Sequence, residues 1–112
     1  MLIDFSKIEE KIVPNFKGGE GDFHICGYND GKVMINNICI EPGTYNGMHI
    51  HSANCEIIYV IDGELLIKND DGTEEHVFPG QVTYCPMGTG HSVIAAGDKP
   101  VHMLGIVPEQ KL

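Results

Sequence analysis

Residues 43–63, GTYNGMHIHSANCEIIYVIDG, carry three potential metal ligands within eight positions: His49, His51 and Glu56. Alternate residues of a β-strand point to the same face, with Cα atoms roughly 6–7 Å apart, so the two histidines can reach one metal ion together. Glu56 follows His51 by an odd step, which an unbroken strand would aim at the opposite face. We therefore expect residues 52–55, SANC, to form a turn or irregular link that returns the carboxylate to the histidine side.

The spacing of this stretch resembles the first motif of the cupin superfamily. That motif consists of a glycine, five residues, His-x-His, a short gap, a glutamate, six residues and a second glycine. Every one of these spacings is matched by Gly43, His49, His51, Glu56 and Gly63. The second cupin motif is a glycine, five residues, Pro-x-Gly, two residues and a histidine, often with an asparagine four residues later. It is matched by Gly80, Pro86, Gly88 and His91, with Ala95 at the asparagine position.

The resemblance covers roughly residues 32–107 and implies a metal site inside a barrel. Its ligands would be His49, His51, Glu56 and His91. Iron, manganese, zinc, nickel, cobalt and copper all suit three imidazoles and one carboxylate, so the metal stays open. A six-coordinate metal would keep two positions free for water, substrate or dioxygen. It could then polarise a bound carbonyl or hydroxyl, or generate metal hydroxide.

The rest of the chain is typical of an all-β protein, because short β-rich runs alternate with Gly, Pro and Asp-Gly turns. Together with the resemblance, this pattern predicts a small jelly-roll-like β-barrel with a short N-terminal helical turn or extended segment. Ser6 and Glu9 have capping-box spacing for a turn that ends before Pro14. We expect one domain, in which residues 1–31 provide an N-terminal segment and first strand and residues 32–112 form the barrel that carries both motifs.

Charge and composition exclude several classes of partner. The 112 residues carry a formal net charge of −9, and all seven basic residues are lysines. Nucleic-acid binders need a basic surface, so we expect no nucleic acid as a partner, and the absence of arginine also makes phosphorylated substrates a poorer expectation. No apolar run approaches the length of a membrane span. Four cysteines without CxxC spacing favour reduced thiols, hence a soluble, cytoplasmic protein.

Beyond the four ligands, the candidates for catalysis are Tyr45, Tyr84 and His102. The two tyrosines border the ligand segments, with Met48 and Met87, and are expected at the pocket mouth. His102 lies in a predicted strand but, like His24 and His76, has no partner at ligand spacing. The common interpretation of such histidines is a surface or hydrogen-bonded core residue.

For the function, the resemblance favours a metal-dependent enzyme that acts on a small organic molecule, of the dioxygenase, isomerase, lyase or decarboxylase type. The alternative is a non-catalytic small-molecule-binding or sensing module, and a third possibility is a structural barrel with metal but no chemistry. The substrate stays open. We also expect a two-fold homodimer, because a small barrel leaves sheet edges to cover and the apolar residues 1–13 could pack across a partner's sheet.

Overall fold

Within residues 1–110, which the computed structural model describes, the chain forms ten β-strands in two antiparallel sheets. The strands are β1 (Lys11–Pro14), β2 (Asp22–Asn29), β3 (Val33–Ile40), β4 (His49–Ile50), β5 (Glu56–Asp62), β6 (Glu64–Asn69), β7 (Glu74–Val77), β8 (Val82–Cys85), β9 (Gly90–Ala96) and β10 (Val101–Pro108). The larger sheet has the order β1-β2-β3-β10-β5-β8, and the smaller has the order β4-β9-β6-β7. The predicted all-β, jelly-roll-like fold is confirmed.

The N-terminal segment differs in detail from the sequence prediction. One 3₁₀ turn spans Phe5–Lys7 and a second spans Phe16–Gly18. The cap of the first is Asp4, not Ser6: the Asp4 Oδ1 atom accepts a hydrogen bond of 3.0 Å from the Ser6 N–H. Residues 11–14 then form the edge strand β1 against β2, so the predicted helical turn or extended segment is present as a 3₁₀ turn followed by a strand. Proline is tolerated in an edge strand because one side of the strand needs no donor.

The hydrophobic core lies between the two sheets. Inward-facing residues alternate with outward-facing ones along β10, where Val101, Met103 and Val107 are buried while His102 and Leu104 are half-buried. The most completely buried apolar side chains of both sheets, each with no more than 1% exposure, are Ile40, Val60, Leu65, Ile67, Val93, Val101 and Met103. Removal of this apolar surface from water is the main force that holds the sheets together.

No helix among residues 1–110 is long and apolar enough to cross a membrane. The four cysteines are all free thiols, of which Cys55 and Cys85 are buried and Cys39 is exposed.

Candidate metal centre

The four potential metal ligands of the two motifs come together between the sheets. His49 on β4 and His91 on β9 are direct cross-strand neighbours in the smaller sheet, and Glu56 begins β5 of the larger one. One nitrogen or oxygen atom from each of His49, His51, Glu56 and His91 lies within 4.8 Å of the other three. Within residues 1–110, no other group of three or more His, Cys, Asp or Glu residues is arranged so that it could hold a metal ion.

The link of residues 52–55 changes sheet as well as direction. It leaves the smaller sheet after His51 and enters the larger one at Glu56, with Cys55 buried on the way. Asn54 in this link also holds a ligand, because its Oδ1 atom accepts a hydrogen bond of 2.6 Å from His51 Nδ1. An irregular link was expected from the sequence, but the transfer between sheets was not.

Hydrogen bonds fix the orientation of two of the imidazoles. His49 Nδ1 donates to the Gly47 carbonyl oxygen over 2.8 Å, and His51 Nδ1 donates to Asn54 in the same way. Because these oxygens accept and Nδ1 carries the proton, the Nε2 atom of each neutral ring keeps a free lone pair. His91, only 1% exposed, is different, since its Nδ1 atom is buried without a hydrogen-bond partner.

The donor atoms face each other at short range. His91 Nε2 lies 2.9 Å from Glu56 Oε1 and 3.2 Å from His51 Nε2, while His51 Nε2 lies 3.5 Å from Glu56 Oε1. Lone pairs that converge in this way repel one another unless a proton or a cation lies between them. Three imidazole nitrogens and one carboxylate oxygen are a donor set that fits a divalent first-row transition metal.

The electrostatics of the cluster keep Glu56 charged. Burial alone would raise the pKa of Glu56, but the hydrogen bonds and positive charge that His51 and His91 supply when they are protonated outweigh it and lower the pKa to about 2. The hydrogen bond with Glu56 in turn raises the pKa of His51, whereas burial lowers the pKa of His49. At neutral pH the site therefore presents the carboxylate that a metal requires.

A cavity of about 380 Å³ opens onto the ligands His49, His51 and Glu56. Most of its wall is apolar, with Phe16, Phe23, Ile25, Met34, Ile38, Ile58, Val93 and Val107 among the lining residues. Polar groups are few and include Lys17 and the amides of Asn36, Asn46 and Asn54. Such a mainly apolar pocket with a few placed polar groups suits a small organic ligand.

The candidates for catalysis lie elsewhere. Tyr84 points away from the core on β8 and is 55% exposed, because its neighbour Cys85 faces inward. His102 is half-buried on β10, where its Nε2 atom lies 2.6 Å from Asn37 Oδ1. The sequence led us to expect five residues at the pocket mouth or in catalysis, and none of them lines the cavity: Tyr45, Met48, Tyr84, Met87 and His102. His24 and His76 pair with Glu10 and Glu64, respectively, away from the cluster.

The sequence interpretation missed three of the polar lining residues, Lys17, Asn36 and Asn46. Asn36 had a signal, because it interrupts the apolar series of alternate residues Met34, Ile38 and Ile40 on β3. Lys17 had none, since it lies in a glycine-rich segment that the sequence marks only as a loop.

Residues 36–107 match the family model of the cupin domain, which is more than half of the chain. The chain belongs to the cupin family. This cupin is 25% identical to an oxalate-binding protein of Thermotoga maritima over 96% of its own length and 93% of the relative. Its fold is similar to that of a predicted oxalate decarboxylase from Thermotoga maritima, with a TM-score of 0.88, 23% identity, and coverage of 97% of this chain and 99% of the other.

A third likeness is to a recombinant oxalate oxidase in complex with glycolate. The TM-score is 0.62 and the identity 29%, over 74% of this cupin and 45% of the oxidase. The match therefore spans less than half of the oxidase.

Proposed function

We propose that this cupin binds one divalent first-row transition metal through His49, His51, Glu56 and His91, and binds a small carboxylate at that metal. The proposal rests on four donor atoms that lie within 4.8 Å of one another at a cavity. Iron, manganese, zinc, nickel, cobalt and copper are all compatible with this donor set, and affinity order does not choose among them.

A bound metal would supply Lewis acidity and open coordination positions for an oxygen ligand. The chain's own residues do the rest. The Gly47 carbonyl and the Asn54 side chain accept hydrogen bonds that hold the rings of His49 and His51, and such bonds to a histidine ligand increase metal affinity. The apolar wall keeps bulk water from most of the ligand surface, so charge interactions inside the cavity are strong.

A small carboxylate is the ligand class that the comparisons favour. An oxalate-binding protein matches nearly the whole chain, and an oxalate oxidase with glycolate matches three quarters of it. Carboxylate oxygens are also hard donors that occupy open positions on a divalent metal.

The metal assignment is tested by element analysis of the purified protein after expression with ample metal. The wild type should hold about one ion per chain, and His51→Ala should lose most of it, because one of four donors is gone. His76→Ala is the matched control, since His76 is exposed and bonds Glu64 outside the cluster. Full metal content in His51→Ala, or none in the wild type, would contradict the assignment.

Ligand binding is tested by calorimetric titration of oxalate into manganese-loaded and metal-free protein. We expect binding to the loaded form and none to the metal-free form, because the carboxylate binds through the metal. Equal binding to both forms, or to neither, would refute the ligand part of the proposal.

Two functional outcomes then follow from the same site. One is binding without turnover; the other is a reaction of the dioxygenase, isomerase, lyase or decarboxylase type. The cavity favours the first, because the lining residues of the described chain include no carboxylate besides Glu56 and none of the three catalytic candidates. Incubation of metal-loaded protein with ¹³C-oxalate, followed by NMR, decides: a new ¹³C product that is absent with His51→Ala would establish turnover.

We further propose a two-fold homodimer through the outer face of the larger sheet. Five residues on β2, β3, β10, β5 and β8 form a row there, in which each is the cross-strand neighbour of the next: Tyr28, Ile35, Ile106, Ile57 and Tyr84. Met1 and Leu2, at 95% and 91% exposure, lie beyond the edge strand and supply apolar surface for a second copy. Such contiguous apolar surface is unusual on a monomer.

Light scattering tests the assembly on the wild type, on Val82→Lys and on a chain that begins at Glu10, which keeps β1. We expect a dimer for the wild type and a monomer for Val82→Lys, whose exposed position leaves the fold intact. A monomeric wild type at micromolar concentration would rule the dimer out. A shortened chain that stays dimeric would remove the N-terminus from the interface.

The cytoplasmic location remains a prediction, which the four free thiols support. Cell fractionation with an antibody against the chain would test it, and recovery from an extracellular fraction would contradict it.

A further inference from the structure

Of the lysines that the structure describes, one, Lys17, lines the cavity at the candidate metal centre. The chain has no arginine and a net charge of −9, so the positive charge of Lys17 at the cavity wall is opposite in sign to the net charge of the protein. Among the lining residues that the structure describes, Glu56 alone is acidic. Lys17 and Glu56 balance each other, so a bound divalent metal would give the cavity a net positive charge within an acidic protein.

The backbone of Lys17 has an unusual conformation. Its φ of 55° and ψ of 30° are left-handed, and Asn15 two residues earlier has a φ of 51°. This region is strained for a long side chain, so the surrounding contacts must maintain it. The compensating hydrogen bonds run from Gly18 N–H to the Asn15 oxygen and from Gly19 N–H to the Phe16 oxygen, each over 3.0 Å.

The Lys17 turn and the ligand His49 are anchored to the same residue, Gly47. The Gly47 N–H donates to the Phe16 carbonyl over 3.1 Å, and the Gly47 carbonyl accepts from His49 Nδ1 over 2.8 Å. The two backbones are so close that a Cβ atom at Gly47 would overlap the Lys17 carbonyl oxygen. The position of Lys17 is therefore tied to that of the metal ligands.

The ammonium group lies over Phe16, which also lines the cavity. Lys17 Nζ lies 5.6 Å from the centre of the Phe16 ring, within the range of a cation–π contact. The Lys17 charge also reaches the candidate metal centre. The hydrogen bond with Glu56 raises the pKa of His51, and the positive charge of Lys17 partly offsets this rise.

We propose that Lys17 makes the site selective for small dianions, that is, for dicarboxylates in which one carboxylate binds the metal and the other pairs with the Lys17 ammonium. The charges match this ligand class: a divalent metal with Glu56 leaves one positive charge, and Lys17 makes two. A dianion neutralises both charges, whereas a monocarboxylate leaves the Lys17 charge unpaired. The inference rests on the proposed function and adds to it the charge of the ligand and the residue that recognises it.

Calorimetric titration of manganese-loaded protein tests this inference, with oxalate as the dianion and glycolate as a monoanion of similar size. Lys17→Gln should lower the affinity for oxalate about tenfold, the loss expected for one charged hydrogen bond, and change that for glycolate less than about twofold. Lys17→Arg should keep the preference for oxalate. Lys68→Gln, which removes the same charge from the exposed face of β6, should change neither affinity.

Metal content and melting temperature, measured in parallel, confirm that each variant is folded and loaded. An equal loss for both ligands in Lys17→Gln, or no loss for either, would overturn the role of Lys17 and leave the proposed function intact. Absence of any binding to the loaded wild type would instead overturn the proposed function, and this inference with it.

Discussion

The substitution Glu56→Gln tests the electrostatics of the cluster in the metal-free protein, since it keeps the shape of the side chain and removes its charge. A pKa lowered from 4.5 to about 2 corresponds to about 3 kcal/mol of stability from the ionised carboxylate. Because the pKa is depressed in the folded state, this stability is fully present above the unfolded value of 4.5. It is lost as the pH falls towards 2.

The assay is urea unfolding, followed by circular dichroism between pH 6 and pH 2, on protein whose freedom from metal is verified by element analysis. The free energy of unfolding of the wild type should exceed that of Glu56→Gln at pH 6, and the difference should shrink by about 3 kcal/mol by pH 2. Glu75→Gln is the matched control at an exposed carboxylate. Parallel pH profiles for the wild type and Glu56→Gln would refute the buried ionised carboxylate.

Three further predictions concern metal binding and packing. The melting temperature of the metal-loaded protein should exceed that of the metal-free protein, and this difference should become smaller as the pH falls from 7.5 to about 5. The reason is that protons compete for the histidine ligands while Glu56 stays ionised. A difference that does not change with pH would contradict histidine ligation. Gly47→Ala should lower the free energy of unfolding in urea by about 2 kcal/mol or more, since the new Cβ atom would overlap the backbone at Lys17. The control Gly105→Ala, whose new Cβ atom would have its nearest neighbour at 3.4 Å, should lower it by less than about 1 kcal/mol. Equal losses for the two variants would contradict the close approach at Gly47. Leu65→Ala should cost about 2–5 kcal/mol, and a smaller loss would mean that this core position collapses easily.

The strands were largely predictable because their signals are local. Turn residues such as Asp30 and Gly31 separate β-rich runs, and the structure has the strands β2 and β3 on either side of them. The edge strand β1 was not predictable in this way. It is a strand because it pairs with β2, and such a pairing is a property of two segments and not of one.

The metal cluster was predictable in its members but not in its construction. His49, His51, Glu56 and His91 stand out through motif spacing alone, and the structure brings them together. That the cluster joins the two sheets follows only from the way residues 52–55 cross between them.

For this protein, the sequence by itself determined the all-β class, the family and the four potential ligands, since residue type and spacing along one chain are enough to specify each. Only the tertiary structure decided what else reaches the cavity. Tyr84 and His102 face outward because their strand neighbours fill the core, and Lys17 enters the cavity wall because distant backbone contacts at Gly47 hold its turn in place. Those placements depend on contacts between residues far apart in sequence, which no local pattern encodes.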